Sequence, residues 1–129
     1  MAKILIVDDD PDMLDAGRFV LEAEGHEVIG ASNVGNGMKV IAEEKPDLLI
    51  LDVMMEEPDD GISMARQLRR KGYDLPILML TSVNVALGLH IDKDAEMVPV
   101  DEFQEKPVDP AVLVAKVARL LRDKDGASC

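Results

Sequence analysis

Cysteine, tryptophan and long apolar runs are what this chain of 129 residues has least of. Its single cysteine, Cys129, is the last residue, so no internal disulfide can form. Only two histidines, His26 and His90, are present, and with one cysteine they leave no Cys/His set at zinc-ligand spacing. No run of eighteen apolar residues exists, which excludes a spanning helix. The start Met1-Ala2-Lys3 passes straight into a short strand-like run, without the apolar stretch and small-residue cleavage site of a secretory signal. A cytoplasmic protein is expected. Positive charge is scarce too: 14 Lys and Arg stand against 26 Asp and Glu, a formal net charge of −12. Such a chain repels nucleic acid backbones and anionic membranes, so neither is an expected partner. The densest basic patch, Arg66, Arg69, Arg70 and Lys71, reads as a solvated helix end. With only Phe19, Tyr73 and Phe103 as aromatics, aliphatic and methionine side chains must fill the core.

What is present is a strict alternation of strand and helix signals. Short apolar runs with polar flanks read as buried strands of a parallel sheet: Ile4–Val7, His26–Ala31, Asp47–Leu51, Ile77–Leu80 and a shorter Glu102–Glu105. The third is the most apolar and is expected at the centre. Asp10-Pro11 and Asp109-Pro110 each supply an N-cap followed by a proline at the first helical position. The first helix is expected to run to about Glu24, with Met13, Leu14, Ala16, Gly17, Val20 and Leu21 inward and Gly25 as its end. Ser32 or Asn33 caps a second helix, which Gly35 and Gly37 weaken by about 1 kcal/mol each and Pro46 stops. Asp59 or Asp60 caps a third, with Ile62, Ala65 and Leu68 inward. Between Ser82 and Asp101 the pattern degrades, and this stretch is expected to be the most mobile. The last helix turns Leu113, Val117, Leu120 and Leu121 inward, and residues 123–129 read as a polar tail after a domain of residues 1–122.

Right-handed crossovers then give one α/β fold: a five-stranded parallel sheet in the order 2-1-3-4-5, doubly wound and flavodoxin-like, with helices on both faces. Ligands of such sheets gather beyond the carboxyl ends of the strands. There the sequence puts Asp8 and Asp9, Asp52, Thr81 and Lys106, each at or near the end of a different run. Three carboxylates in one crevice repel one another, and a divalent cation removes that penalty. Oxygen ligands favour Mg²⁺ or Ca²⁺ over zinc. An aspartate at a central strand end suits covalent phosphoryl transfer, with Thr81 and Lys106 as hydroxyl and ammonium donors to the phosphoryl oxygens. Singly, each has a plainer reading: Asp10 as a cap, Lys106 as a surface lysine, Phe103 and the methionines as core. The joint occurrence at four strand ends outweighs them.

The segments Ile4-Leu5-Ile6-Val7-Asp8-Asp9-Asp10, Leu48-Leu49-Ile50-Leu51-Asp52-Val53-Met54-Met55, Leu78-Met79-Leu80-Thr81-Ser82 and Glu105-Lys106-Pro107-Val108 resemble, in order and over nearly the whole chain, the receiver domain of two-component response regulators. The resemblance implies that Asp52 is the phospho-acceptor, charged by a sensor histidine kinase or phosphotransfer protein. It implies an Mg²⁺ site in which Asp9 is a direct ligand and Asp8 acts through water, with Asp52 and the carbonyl of Met54 completing the protein's share. Thr81 and Phe103 match the family's switch pair. Lys106 matches its invariant lysine, with a cis Lys106-Pro107 bond. In the family the positions of Met54 and Val83 flank the water's route to the phosphoryl group; neither side chain can orient a water, so the resemblance implies slow self-hydrolysis.

Two departures stand against the family pattern. The loop Met55-Glu56-Glu57-Pro58-Asp59-Asp60-Gly61 has its proline displaced and one extra residue, and the stretch from Thr81 to Lys106 is longer than usual. A receiver-like interaction module that is not phosphorylated is therefore an alternative to the phospho-switch. An aspartyl phosphatase is disfavoured because Met54 stands where a second aspartate belongs. The kinase, the downstream target and the oligomeric state are left open, as is whether the receiver stands alone or belongs to a longer protein.

Overall fold

The computed structural model describes residues 2–53, 60–81, 100–105 and 109–127, with the side chains of 81, 105 and 123–127 excepted. The sequence readings placed on Met54, Asp59, Val83, Lys106 and Pro107, and nearly all of the 82–101 stretch, lie outside the described residues. Within them the order is β1 (Lys3–Val7), α1 (Pro11–Glu22), β2 (Glu27–Ala31), α2 (Val34–Glu44), β3 (Leu48–Asp52), α3 (Asp60–Arg70), β4 (Ile77–Thr81), β5 (Glu102–Glu105) and α4 (Pro110–Ala127). All strand pairs are parallel, and the sheet order is 2-1-3-4-5, as expected.

The strands β1, β3 and β4 feed two cores, which is why their runs are continuous rather than alternating. Leu5, Val7, Leu49, Leu51 and Met79 face α2 and α3 with Ile41, Met64, Ala65 and Leu68. Ile4, Ile6, Leu48, Ile50, Leu78 and Leu80 face α1 and α4 with Leu21, Leu113, Val117 and Leu120. All of β3 is buried, so the third strand is the centre.

The helix ends follow local chemistry, with several corrections to the sequence reading. Asp10 caps α1 by accepting the Asp12 N–H at 2.9 Å, with Pro11 at the first turn. The helix stops at Glu22, two residues early, where the chain turns toward Gly25 at φ +89°. Ala16 is exposed, and Gly17 and Leu21 are the residues fully inside. In α2, Asn33 is the cap, accepting the Asn36 N–H at 2.8 Å. A Cβ at Gly37 would lie 2.8 Å from Val7 Cγ2, so this glycine permits close helix–sheet packing as well as lowering propensity. The backbone of α4 continues to Ala127, where the sequence suggests a tail from residue 123.

Nor is the basic patch simply solvated. Arg69 donates to the carbonyls of Tyr73 (3.0 Å) and Leu75 (2.9 Å) and to Asp101 Oδ2 (3.1 Å). The same oxygen accepts the Ile77 N–H at 2.8 Å. Arg69 thus ties α3 to the starts of β4 and β5.

Candidate functional site

The sheet order makes β1 and β3 neighbours, and their register pairs Val7 with Leu51. The next residue on each strand is therefore an aspartate beside an aspartate, Asp8 beside Asp52. Both are held by main chain that outlasts the strands. The Asp8 N–H donates to the Ala31 carbonyl at 3.0 Å, and the Val53 N–H donates to the Leu80 carbonyl at 3.0 Å. Asp8 is fully buried and Asp52 nearly so, whereas Asp9 is exposed.

Carboxylate oxygens of Asp8, Asp9 and Asp52 all lie within 4.8 Å of one another. An octahedral ion with oxygens at about 2.1 Å sets its ligands roughly 3 to 4 Å apart. The triad is thus close to the spacing of a small hard cation, with oxygens the sole donors it offers. The three consecutive aspartates divide their work. Asp8 Oδ1 accepts the Asp10 N–H at 2.9 Å, and Asp10 in turn caps α1, so the turn that presents Asp9 is locked on both sides.

Thr81 ends β4, paired with Glu105 of β5, so its backbone stands at this same edge of the sheet. Phe103 pairs with Met79 and packs, half-buried, on the α2/α3 core. One contact to Phe103 escaped the sequence reading: Lys116 of α4 donates to its carbonyl at 2.5 Å. Glu102 bonds Arg119 and lies 3.8 Å from Lys116, so α4 grips β5 through two cations three residues apart. The i, i+3 spacing of Lys116 and Arg119 opposite an acidic strand was the available signal.

The model of the response regulator receiver domain matches residues 4–118. The chain belongs to this family. Among curated proteins it is 36% identical over 130 residues to the alkaline phosphatase synthesis transcriptional regulatory protein PhoP of Bacillus subtilis (strain 168), an alignment covering 98% of this chain and 51% of that one. The receiver described here thus spans about half the length of the curated relative it matches. Among solved structures it resembles a response regulator receiver domain protein of Clostridium thermocellum (27% identity, TM-score 0.85, 97% of this chain and 98% of that one). A similar likeness holds to the BeF3-activated N-terminal receiver domain of Klebsiella pneumoniae RstA (32%, TM-score 0.79, 93% and 98%). A CheY-like receiver of Methanospirillum hungatei JF-1 is comparable (26%, TM-score 0.82, 98% and 98%). The acidic cluster of this receiver sits where the neighbouring parallel strands β1 and β3 end. No described helix is long and apolar enough to cross a membrane.

Proposed function

We propose that this receiver is a phosphorylation-dependent switch in which Asp52 accepts a phosphoryl group from a sensor histidine kinase or phosphotransfer protein. The observation that carries the reading is the convergence of Asp8, Asp9 and Asp52 within 4.8 Å at the carboxyl edge of the sheet. A bound Mg²⁺ would neutralise the acidic cluster and the incoming phosphoryl oxygens. Asp9 would hold it directly and Asp8 through water, with Asp52 and the Met54 carbonyl as the remaining protein ligands.

In the transfer, a carboxylate oxygen of Asp52 attacks the phosphorus of a phosphohistidine in line with the breaking bond. The O–P bond forms as the P–N bond breaks, and its electron pair leaves on the imidazole nitrogen. The Thr81 hydroxyl and the Lys106 ammonium stabilise the phosphoryl oxygens. Movement of Thr81 toward the new acceptor vacates space for Phe103, which repacks the β4/β5/last-helix surface for a downstream protein. A shift of this kind draws on a coupling of about 1–3 kcal/mol. As the family pattern implies for the positions of Met54 and Val83, the acyl phosphate is expected to hydrolyse slowly. The setting is cytoplasmic, without nucleic acid or membrane as direct partner.

The test is incubation with acetyl phosphate and Mg²⁺, read by intact-protein mass spectrometry. Wild type is expected to gain one phosphoryl mass, and Asp52→Ala to gain none. An unmodified wild type would favour the second reading, a receiver-like interaction module. The extra negative charge of Glu56 and Glu57 in a lengthened loop is what speaks for that reading. Equal labelling of both proteins would remove Asp52 from the mechanism.

A further inference from the structure

Among the described residues, three buried glycines are hemmed in tightly enough that a methyl group would collide with a neighbour. At Gly17 the obstacle is Ile6 Cδ1, 2.8 Å from where a Cβ would be, and at Gly37 it is Val7 Cγ2 and Met64 Cε. These are side-chain ends, and rotation about a few bonds can clear them. Gly61 is different. A Cβ there would stand 2.1 Å from the main-chain oxygen of Asp52, 2.9 Å from its carbonyl carbon and 2.7 Å from Val53 Cα. No rotamer relieves a clash with backbone. Its φ is not positive, so space, and not an unusual dihedral, is what demands glycine here. The Gly61 N–H also donates to the Val53 carbonyl at 2.8 Å.

We propose that Gly61 is a positioning residue for cation binding at the acidic site, holding the Asp52–Val53 peptide so that the Asp52 carboxylate stays in register with Asp8 and Asp9. The inference rests on the reading of the triad as an Mg²⁺ site. To reach even the shortest contact that real Cβ atoms make, about 3 Å, the peptide would have to move by about 1 Å. Octahedral Mg²⁺ tolerates little departure from oxygens at about 2.1 Å. A displacement of that size at a ligand's own main chain therefore weakens binding as well as packing. Gly17→Ala is the matching control, since it disturbs the α1 face of the sheet through a movable side chain.

The experiment titrates Mg²⁺ alone into the full chain by isothermal calorimetry, for wild type, Gly61→Ala and Gly17→Ala. Both variants are expected to lose stability, but Gly17→Ala retains the wild-type Kd within twofold while Gly61→Ala binds at least tenfold more weakly. Equal Kd values for Gly61→Ala and wild type overturn the proposal and leave the metal site intact. A wild type that does not bind Mg²⁺ defeats the underlying reading, and this inference with it. Should Gly61→Ala fail to fold, amide hydrogen exchange in wild type decides the matter. Mg²⁺ is expected to slow exchange at Gly61 at least tenfold more than at Val117 in α4, and equal slowing overturns the proposal.

Discussion

Removing the charge of Asp52 is expected to stabilise the metal-free protein. Asp8 and Asp52 are buried neighbours with oxygens no more than 4.8 Å apart, and Asp9 completes the triad from the exposed side. At that separation two unit charges repel by about 3 kcal/mol at an effective dielectric near 20, and by about 1 kcal/mol in water. The first figure suits the buried pair and the second suits the pairing with exposed Asp9. Asp52 is not without a partner of its own, and a weaker interaction there in the variant offsets some of the relief. The net expectation for Asp52→Asn in EDTA is a gain of roughly 1–3 kcal/mol, or a few degrees in Tm for each kcal/mol. On the proposed function, Mg²⁺ is expected to reverse the comparison. A ligand at ten times its Kd stabilises a folded protein by about 1.4 kcal/mol, and the variant, short of one carboxylate, binds less of it. Urea unfolding with and without Mg²⁺ measures all four quantities. Two results together would refute the reasoning: Asp52→Asn less stable than wild type in EDTA, and equal stabilisation of both proteins by Mg²⁺.

Three further outcomes test other links between sequence and site. Leu49→Ala, in the middle of buried β3, is expected to cost about 2–5 kcal/mol in urea unfolding; a loss below 1 kcal/mol would mean that β3 is not the centre of the α2/α3 core. Asp10→Ala should cost about 1 kcal/mol of stability while Mg²⁺ affinity is retained, and Asp9→Ala should do the opposite, as calorimetry and urea melts would show. His26 has its pKa lowered, first by burial and then by the nearby N-terminus, and its Nδ1 accepts the Ala2 N–H at 3.2 Å. The folded state therefore prefers neutral imidazole: its contribution is full above the unfolded value near 6.5 and is lost as pH falls from there toward the lowered folded value. The wild-type minus His26→Gln difference in urea midpoint should shrink as pH falls through that window, and a constant difference would count against the assignment.

The sheet was legible because each of its strands is a run bounded by charge or by proline, and because buried parallel strands need no alternation to be recognised. Val7-Asp8 and Leu51-Asp52 revealed the site for the same reason: an apolar run that stops at a carboxylate marks the edge where a strand emerges. The limits of α1 and α4 were harder. Residues 23–25 keep helix-compatible composition while the backbone turns away, and the charged segment after Arg122 reads equally well as tail or as solvated helix. Arg69 looked like one of several surface cations, since nothing in its neighbours announces that a guanidinium will close three main-chain and side-chain contacts across 32 residues. Gly61 was hidden more deeply. An Asp-Gly pair at the start of a helix signals a cap or turn, and only the approach of α3 to the Asp52 carbonyl reveals that a missing side chain is the point.

The same geometry explains why this receiver's site is costly and why that cost suits a switch. Burying Asp8 and Asp52 side by side places like charges where water screens them least. A well-packed apolar pair at the same register would leave the fold more stable and unable to respond to anything. On the proposed function, a cation and a phosphoryl group would relieve that repulsion, and binding energy at the edge of β1 and β3 would become conformational energy in the strands beside them. Between Asp52 and Phe103 lies only β4, paired residue by residue with both neighbours, and Lys116 fastens the Phe103 carbonyl to α4. A change of charge at Asp52 thus has a short, fully hydrogen-bonded route to the last helix, and Lys116→Met should weaken that route without altering Mg²⁺ affinity. In phosphorylated or beryllofluoride-treated protein, chemical shifts of α4 are expected to move less in Lys116→Met than in wild type. Identical shifts would mean that the signal leaves the site by another path.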